Sequence, residues 1–161
     1  MGSGKSTIGY RLAQSLDWAF CDTDKQIEIA TGADIPWIFE KEGEAGFRRR
    51  ERTALLAALS DPRTVLSTGG GVVELEENRQ DLINSDAFVI YLKATVGELV
   101  RRVGSDPNRP LLQGGDPEQL LTRLLERRGP WYESVASFTA HTDRVSPKTL
   151  SERLLERIAT L

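Results

Sequence analysis

The chain is poor in cysteine and histidine. Its 161 residues hold one cysteine, Cys21, and one histidine, His141. A single cysteine excludes an intramolecular disulfide, and proteins without disulfides are typical of a reducing compartment. We therefore expect a cytoplasmic protein in which His141 has a structural role.

Long apolar runs and an excess of positive charge are also missing. No stretch is long and apolar enough to cross a bilayer, so we expect no membrane association. The net charge of −3 argues against a nucleic-acid partner, because nucleic-acid-binding surfaces are usually basic. With 39% hydrophobic residues, the chain has the size and apolar content of a single domain over residues 1–161. We expect it to be a monomer.

The first residues contain the end of a phosphate-binding loop. The pattern consists of Gly2, Ser3, Gly4, Lys5, Ser6 and Thr7. Glycine permits backbone N–H groups to approach phosphate oxygens closely, and the positive end of a following helix favours an anion at the same place. In this pattern Lys5 contacts the β- and γ-phosphates of a nucleoside triphosphate, and the Ser6 hydroxyl binds Mg²⁺.

The residues around this loop set two further expectations. Apolar residues at Ile8, Leu12 and Leu16 predict the helix that must follow it; the alternative is a glycine-capped surface helix without a ligand. A buried central strand normally precedes such a loop, whose first glycine would fall two positions before Met1. We therefore expect the sheet to lack that strand and to have unpaired edges inside the protein.

Hydrophobic runs alternate with helical patterns along the rest of the chain. This alternation is typical of an α/β protein with a parallel sheet and helices on both faces, in three α/β/α layers. The predicted strands are 19–21, 64–67, 87–92 and 138–141. The predicted helices are 6–16, 23–31, 36–42, 45–59, 76–84, 95–103, 116–128 and 147–160.

Residues 104–117 interrupt the alternation with three glycines and three prolines. A loop of this length in a compact domain is usually a functional lid or a disordered excursion. Arg109 at its centre favours a mobile lid, because phosphoryl transfer requires that water be excluded and that a cation reach the developing charge.

Two carboxylates follow the predicted strand 19–21. Residues two apart at a strand end point to the same side, so we expect Asp22 and Asp24 to face the crevice above the carboxyl ends of the strands. One can hold the Mg²⁺ water shell while the other holds a hydroxyl that is to be phosphorylated. An equally weighted alternative is that Asp24 caps a helix beginning at Lys25.

Arginines and glycines supply the remaining candidates. Three consecutive arginines, 48–50, lie on the predicted helix 45–59, where such a run is usually a solvated face. Three consecutive glycines, 69–71, follow the predicted strand 64–67 at a cost in conformational entropy. We predict that these glycines let a small molecule lie directly on the backbone; a long flexible turn is the alternative.

Taken together, these motifs resemble the shikimate kinase family. Besides the loop, the resemblance rests on Asp22-x-Asp24, Gly46-Phe47-Arg48-x-Arg50-Glu51, Thr68-Gly69-Gly70-Gly71, Arg109-Pro110-Leu111-Leu112 and Arg128-x-Pro130-x-Tyr132, in that order. It covers the whole chain and implies a P-loop kinase fold, whose sheet is five-stranded in the family. It also implies Mg²⁺-dependent transfer of the γ-phosphate of ATP to the 3-hydroxyl of shikimate, a step in chorismate and aromatic amino acid biosynthesis.

The resemblance implies a role for each matching residue. Nucleotide binding is implied for Gly2, Ser3, Gly4, Lys5, Ser6, Thr7, Arg102, Arg109 and Pro147. Shikimate binding is implied for Asp24, Arg48, Gly69, Gly70, Gly71 and Arg128. Metal binding is implied for Ser6 and Asp22, and catalysis for Lys5, Arg109 and Asp24, the last as general base. Within these sets, Arg102 and Pro147 sandwich the adenine, while Arg48 and Arg128 clamp the shikimate carboxylate.

Two other interpretations remain open. Another small-metabolite kinase, such as a gluconate kinase, would share Lys5 and Ser6 but would not need two arginines and a glycine platform. A non-catalytic binding module related to the family is favoured by the incomplete loop. The intact Asp24, Arg48, Arg109 and Arg128 argue against that second interpretation.

Overall fold

The computed structural model describes residues 2–103 and 116–160. Helices and short strands alternate along these residues, as the hydrophobic pattern predicts. The elements are α1 (Lys5–Leu16), β1 (Ala19–Asp22), α2 (Thr23–Thr31), α3 (Ile35–Leu59), β2 (Thr64–Ser67), the 3₁₀ helix η1 (Val72–Glu74), α4 (Glu76–Asn84), β3 (Ile90–Lys93), α5 (Val96–Val103), α6 (Pro117–Val135), β4 (Phe138–His141) and α7 (Pro147–Ile158). None of the described helices is long and apolar enough to span a bilayer.

The four strands form two parallel pairs. β1 lies beside β2, with Ala19 opposite Thr64, and β3 lies beside β4, with Ile90 opposite Phe138. Within the described ranges, no strand pairs with the remaining edge of β2 or of β3. A cavity of about 930 Å³ is lined by residues of both strands, and most of its lining side chains are apolar. Among the described residues, the edges of β2 and β3 that line this cavity are therefore unpaired.

Helices cover both faces of the strands. On one side, α1 and α7 pack against β3 and β4 through Ile8, Leu92 and Leu154. On the other side, α3, α4 and α6 meet around Leu55 and Leu82. The three-layer α/β/α prediction is confirmed, and this packing brings the carboxyl ends of the strands to one edge, where the candidate site lies.

Two predicted boundaries differ from the structure by three residues or more. The helix expected to end at residue 128 continues to Val135, through Pro130. Proline removes one backbone hydrogen bond, but the extra turns pack Trp131 and Tyr132 against the buried cluster around Leu55, which offsets that loss. The strand predicted over 87–92 is confined to Ile90–Lys93. By contrast, the break predicted between 36–42 and 45–59 is confirmed, since Gly43 has non-helical φ 68° and ψ −178°.

The predicted lid falls largely outside the described residues. Residues 104–115, including Arg109, lie in that part of the chain. The final two residues assigned to the lid are instead the start of α6. Asp116 caps this helix by accepting a hydrogen bond from the Glu118 N–H at 2.9 Å, and Pro117 occupies its first turn.

Candidate active site

The loop before α1 has the backbone that its glycines predict. Gly2 has φ 75° and Gly4 has φ 90°, a region that other residues rarely adopt. Gly4 is the N-cap of α1, and Lys5 begins the helix. No residue in the first turn of α1 is acidic, so the helix itself supplies no negative charge at the positive end of its dipole. This arrangement favours an anion at the loop.

Ser6 and Asp22, the two predicted metal ligands, lie together. The Ser6 hydroxyl donates to Asp22 Oδ2 at 2.9 Å and lies 3.3 Å from the Ser67 hydroxyl. This places α1 beside the carboxyl ends of both β1 and β2. No cluster of three or more His, Cys, Asp or Glu side chains suited to a metal ion occurs among the described residues. A Mg²⁺ ion here would therefore depend on phosphate oxygens and water for its remaining ligands, as Mg²⁺ usually does.

The carboxylate that caps α2 is Asp22, which corrects the suggestion that Asp24 caps a helix from Lys25. Asp22 Oδ1 accepts hydrogen bonds from the backbone N–H of Asp24 at 3.1 Å and of Lys25 at 3.4 Å. Asp24 therefore lies in the first turn of α2 rather than on a strand end. Its side chain remains available for another role.

Asp24 and Glu51 bring two carboxylates to the glycine segment. Burial, followed by the charge of Asp22, raises the pKa of Asp24, while the charges of Lys5 and Arg48 oppose this shift. Burial also raises the pKa of Glu51, against the effect of Arg48. Glu51 belongs to the motif quoted for the family, but the sequence did not indicate a place for it in the site; its i,i+3 spacing from Arg48 is the signal that was available.

Arg48 is held between two glutamates on α3. It donates from Nη1 to Glu51 at 2.7 Å and from Nη2 to Glu44 at 3.1 Å. The Arg48 side chain is 11% exposed, unlike the solvated side chains usual in an arginine run. Its guanidinium is therefore oriented before any ligand arrives. Arg49 is exposed and Arg50 pairs with Glu42, as expected for the outer part of that run.

Arg128 reaches the site from α6. Its Nε donates to Glu74 Oε1 at 2.6 Å, and Arg127 also pairs with Glu74. The Tyr132 hydroxyl, one turn further along α6, donates to the carbonyl oxygen of Gly70. Tyr132 therefore holds the glycine segment, and Arg128 holds η1, which directly follows it. Sequence reasoning did not identify Glu74 because it falls in an element, η1, that no pattern predicted.

The glycine segment lies directly beneath these side chains. The Gly69 N–H donates to the Thr23 hydroxyl at 3.1 Å, and Thr23 is fully buried. A Cβ at Gly71 would lie 2.2 Å from Arg48 Nη1, closer than two such atoms can approach. A side chain at position 71 would therefore displace the Arg48 guanidinium from its present place against the backbone.

Arg102 and Pro147, predicted to sandwich adenine, both adjoin the segment after β4. Arg102 donates to the Thr142 carbonyl at 2.7 Å and to the Thr142 hydroxyl at 2.9 Å. It also reaches the Gly2 carbonyl at 3.3 Å, which links it to the phosphate-binding loop. Pro147 lies in the first turn of α7. The geometry thus places Arg102 next to the loop, while the adenine contact itself stays a prediction.

Comparison with known sequences identifies relatives of this chain. The family profile described as shikimate kinase matches residues 1–159. A shikimate kinase of Marinomonas sp. strain MWYL1 is 47% identical over 161 residues, covering 98% of this chain and 87% of the relative. One from Pseudomonas syringae pv. tomato is 46% identical, covering 100% of this chain and 93% of the relative.

The solved structures that resemble this chain are also shikimate kinases. A shikimate kinase from Acinetobacter baumannii in complex with shikimate has a TM-score of 0.93 and 44% identity, covering 99% of this chain and 89% of that chain. A shikimate kinase from Bacteroides thetaiotaomicron has a TM-score of 0.91 and 30% identity, with coverage of 99% and 94%.

Proposed function

The chain belongs to the shikimate kinase family, and we propose that it transfers the γ-phosphate of ATP to the 3-hydroxyl of shikimate. The products are shikimate 3-phosphate and ADP. We further infer a monomer that acts on these two small molecules in the cytoplasm. The single cysteine and the net charge of −3 support this setting and disfavour a nucleic-acid partner.

One observation carries this proposal. Three buried polar atoms have no hydrogen-bond partner among the described residues of the site: Asp24 Oδ1, Glu51 Oε1 and Arg48 Nε. Buried polar atoms normally have hydrogen-bond partners, so three such atoms without a partner indicate that a ligand binds here. The two carboxylate oxygens require donors, which the ring hydroxyls of shikimate supply, and Arg48 offers a donor to an anion. A compound with both hydroxyls and a carboxylate fits this set.

The chemistry then follows from the positions of the acidic groups. The shikimate hydroxyl oxygen attacks the γ-phosphorus of ATP, so that one O–P bond forms while the bond from phosphorus to the bridging oxygen of ADP breaks. Asp24 accepts the proton of that hydroxyl, and its raised pKa makes it a better acceptor than an exposed aspartate. Lys5, at the start of α1, balances charge on the transferred group.

The other predicted residues bind and orient the substrates. The glycine-rich loop and Lys5 hold the phosphates, with Arg102 beside them and Pro147 in the first turn of α7. Ser6 and Asp22 would hold Mg²⁺, which would neutralise phosphate charge. Arg48 and Arg128 bind the shikimate carboxylate, and Gly69, Gly70 and Gly71 lie under the ring. Fixing the orientation of the ring in this way supplies much of the rate, because phosphoryl transfer requires in-line alignment.

A substrate comparison tests the proposal. The protein is incubated with ATP and Mg²⁺ together with shikimate, gluconate or a nucleoside monophosphate, and ADP formation is followed by a coupled assay. We expect turnover with shikimate only, and its loss when Mg²⁺ is removed by a chelator. Preferred turnover of either alternative substrate would overturn the proposal. Shikimate binding without turnover in an N-terminally extended form would instead favour the non-catalytic module.

A further inference from the structure

The Glu74 side chain is largely buried, which is unusual for a glutamate. Glu74 ends η1, the short helix that directly follows the glycine segment, and its side chain is only 8% exposed. Two consecutive residues of α6, Arg127 and Arg128, converge on its carboxylate. Consecutive residues on a helix point about 100° apart, so a shared partner requires a specific approach of η1 to α6.

The two arginines differ in how they use Glu74. Arg127 is 58% exposed, so its charge is largely solvated and its contribution is small. The Arg128 side chain is 18% exposed, and it donates from Nε to Glu74 Oε1 at 2.6 Å. The less exposed bond between Arg128 and Glu74 is therefore the contact whose loss should matter more.

Which nitrogen of Arg128 is bound to Glu74 determines which of its donors remain for a ligand. A guanidinium has five N–H donors, one on Nε and four on the two Nη atoms. Because Glu74 accepts from Nε, the contact restrains the plane of the group and leaves donors on the Nη atoms for a ligand. The charge of Arg128 also acts on the Tyr132 hydroxyl, where it opposes the rise in pKa that burial causes. A bidentate contact with a carboxylate requires a fixed plane of this kind.

The electrostatics keep this contact in place at neutral pH. Burial opposes ionisation of Glu74, but hydrogen bonds from Arg128 and Arg127 lower its pKa overall. Glu74 therefore stays ionised at neutral pH. Arg128 is the counterpart of Arg48, which is held by glutamates of its own helix.

We propose that Glu74 is a positioning residue, which fixes the guanidinium of Arg128 through Nε so that its Nη donors bind the carboxylate of the substrate. This inference rests on the proposed function, since it assigns the carboxylate of shikimate to Arg128. Glu74 itself does not touch the substrate. Its negative charge is tolerated next to an anion site because Arg127 and Arg128 together compensate it.

Two substitutions separate positioning from charge. Glu74→Leu removes the acceptor for Nε, whereas Glu74→Gln retains an acceptor oxygen and removes the charge. We expect the dissociation constant for shikimate to rise about tenfold or more in E74L and to stay within about threefold of wild type in E74Q. If Glu74 merely masked the charge of Arg128, both variants would bind shikimate more tightly, which would overturn the proposal.

Further measurements exclude a general structural effect. Binding of methyl shikimate, which lacks the charged carboxylate, should be weaker in the wild type and should change less than about twofold in E74L. ADP binding and the thermal midpoint should also stay close to wild type, as in the control Glu77→Gln on the exposed side of α4. Equal losses for shikimate, its ester and ADP would show that Glu74 only stabilises the fold, and would overturn the inference.

A third measurement separates this inference from the proposed function. The Nε–H proton of Arg128, observed by NMR in the protein without ligand, should exchange slowly with solvent in wild type and in E74Q, and quickly in E74L. Slow exchange in all three proteins would overturn the positioning role. If the exchange follows Glu74 but the wild type does not bind shikimate, the positioning role stands and the substrate assignment fails.

Discussion

The carboxylates of Asp24 and Glu51 meet beside the α-carbon of Gly69. A Cβ placed on Gly69 would lie 2.8 Å from Asp24 Oδ1 and 2.9 Å from Glu51 Oε1. The charge of Asp24 raises the pKa of Glu51, in addition to the larger effect of burial. Two acidic groups are thus kept close together in a buried place, at a cost to stability that a hydroxyl-bearing ligand would relieve.

Asp24→Asn should abolish most of the activity and stabilise the fold. Asparagine cannot accept the substrate proton, so we expect the turnover number to fall by about 100-fold or more. Its neutral amide removes a buried charge next to Glu51, so the thermal midpoint should rise. Steady-state kinetics and thermal unfolding at neutral pH test both expectations. The exposed Asp86→Asn should change neither quantity, and an Asp24→Asn protein with wild-type turnover would exclude Asp24 as the base.

The stability gained in Asp24→Asn should depend on pH. Because the pKa of Asp24 is raised above 3.8 in the folded protein, the folded state holds its proton more tightly than the unfolded state. The stabilising effect of protonated Asp24 is complete below pH 3.8 and is lost as the pH rises through the folded-state pKa. The two proteins should therefore differ least in acid, and the advantage of Asp24→Asn should grow above pH 3.8 and then level off. Urea unfolding at pH values below and above 3.8 measures the free energy of unfolding of both proteins. A difference that does not change with pH would contradict a raised pKa of Asp24.

Gly71→Ala should impair shikimate binding without affecting the nucleotide. The added methyl group would lie 2.2 Å from Arg48 Nη1 and 2.5 Å from Nη2, so the guanidinium must move. We expect the dissociation constant for shikimate to rise about tenfold, while that for ADP stays within about twofold.

Gly97→Ala is the matched control for this substitution. A Cβ at Gly97, in α5, would meet no atom within 4 Å other than those of its chain neighbours and of the backbone of its own helix. Alanine there should leave both affinities unchanged and stabilise the helix by up to about 1 kcal/mol. Unchanged shikimate binding in Gly71→Ala would mean that Arg48 does not need its present position.

Arg48→Ala and Arg128→Ala should each weaken shikimate binding and spare ADP binding. Loss of one charge-assisted pair should cost about 2–4 kcal/mol. Arg48→Lys should also bind poorly, because an ammonium cannot reproduce the planar fork. Titration with each ligand separately measures the effect, with the exposed Arg49→Ala as control. Equal losses for both ligands would indicate that the arginines only support the fold.

Most elements could be predicted from local patterns, and the failures have physical causes. The end of α6 was placed too early because Pro130 disfavours a helix locally, while the packing of Trp131 and Tyr132 that offsets it involves residues far away in the sequence. The cap of α2 was assigned to Asp24 as an alternative because either aspartate fits a capping pattern. Only the hydrogen bonds from the N–H groups of Asp24 and Lys25 identify Asp22 as the cap.

The sequence by itself determined the class of site. The loop from Gly2 to Thr7 and the glycines 69–71 have chemical requirements that few other residues meet, so their types and order are informative without coordinates. The tertiary structure decided how the charged side chains are paired. Arg48 pairs with Glu51 inside α3, but the contact of Glu74 with Arg128 depends on how η1 and α6 approach one another. Glu74 and Arg128 are 54 residues apart, and no local pattern encodes which carboxylate a given arginine will meet.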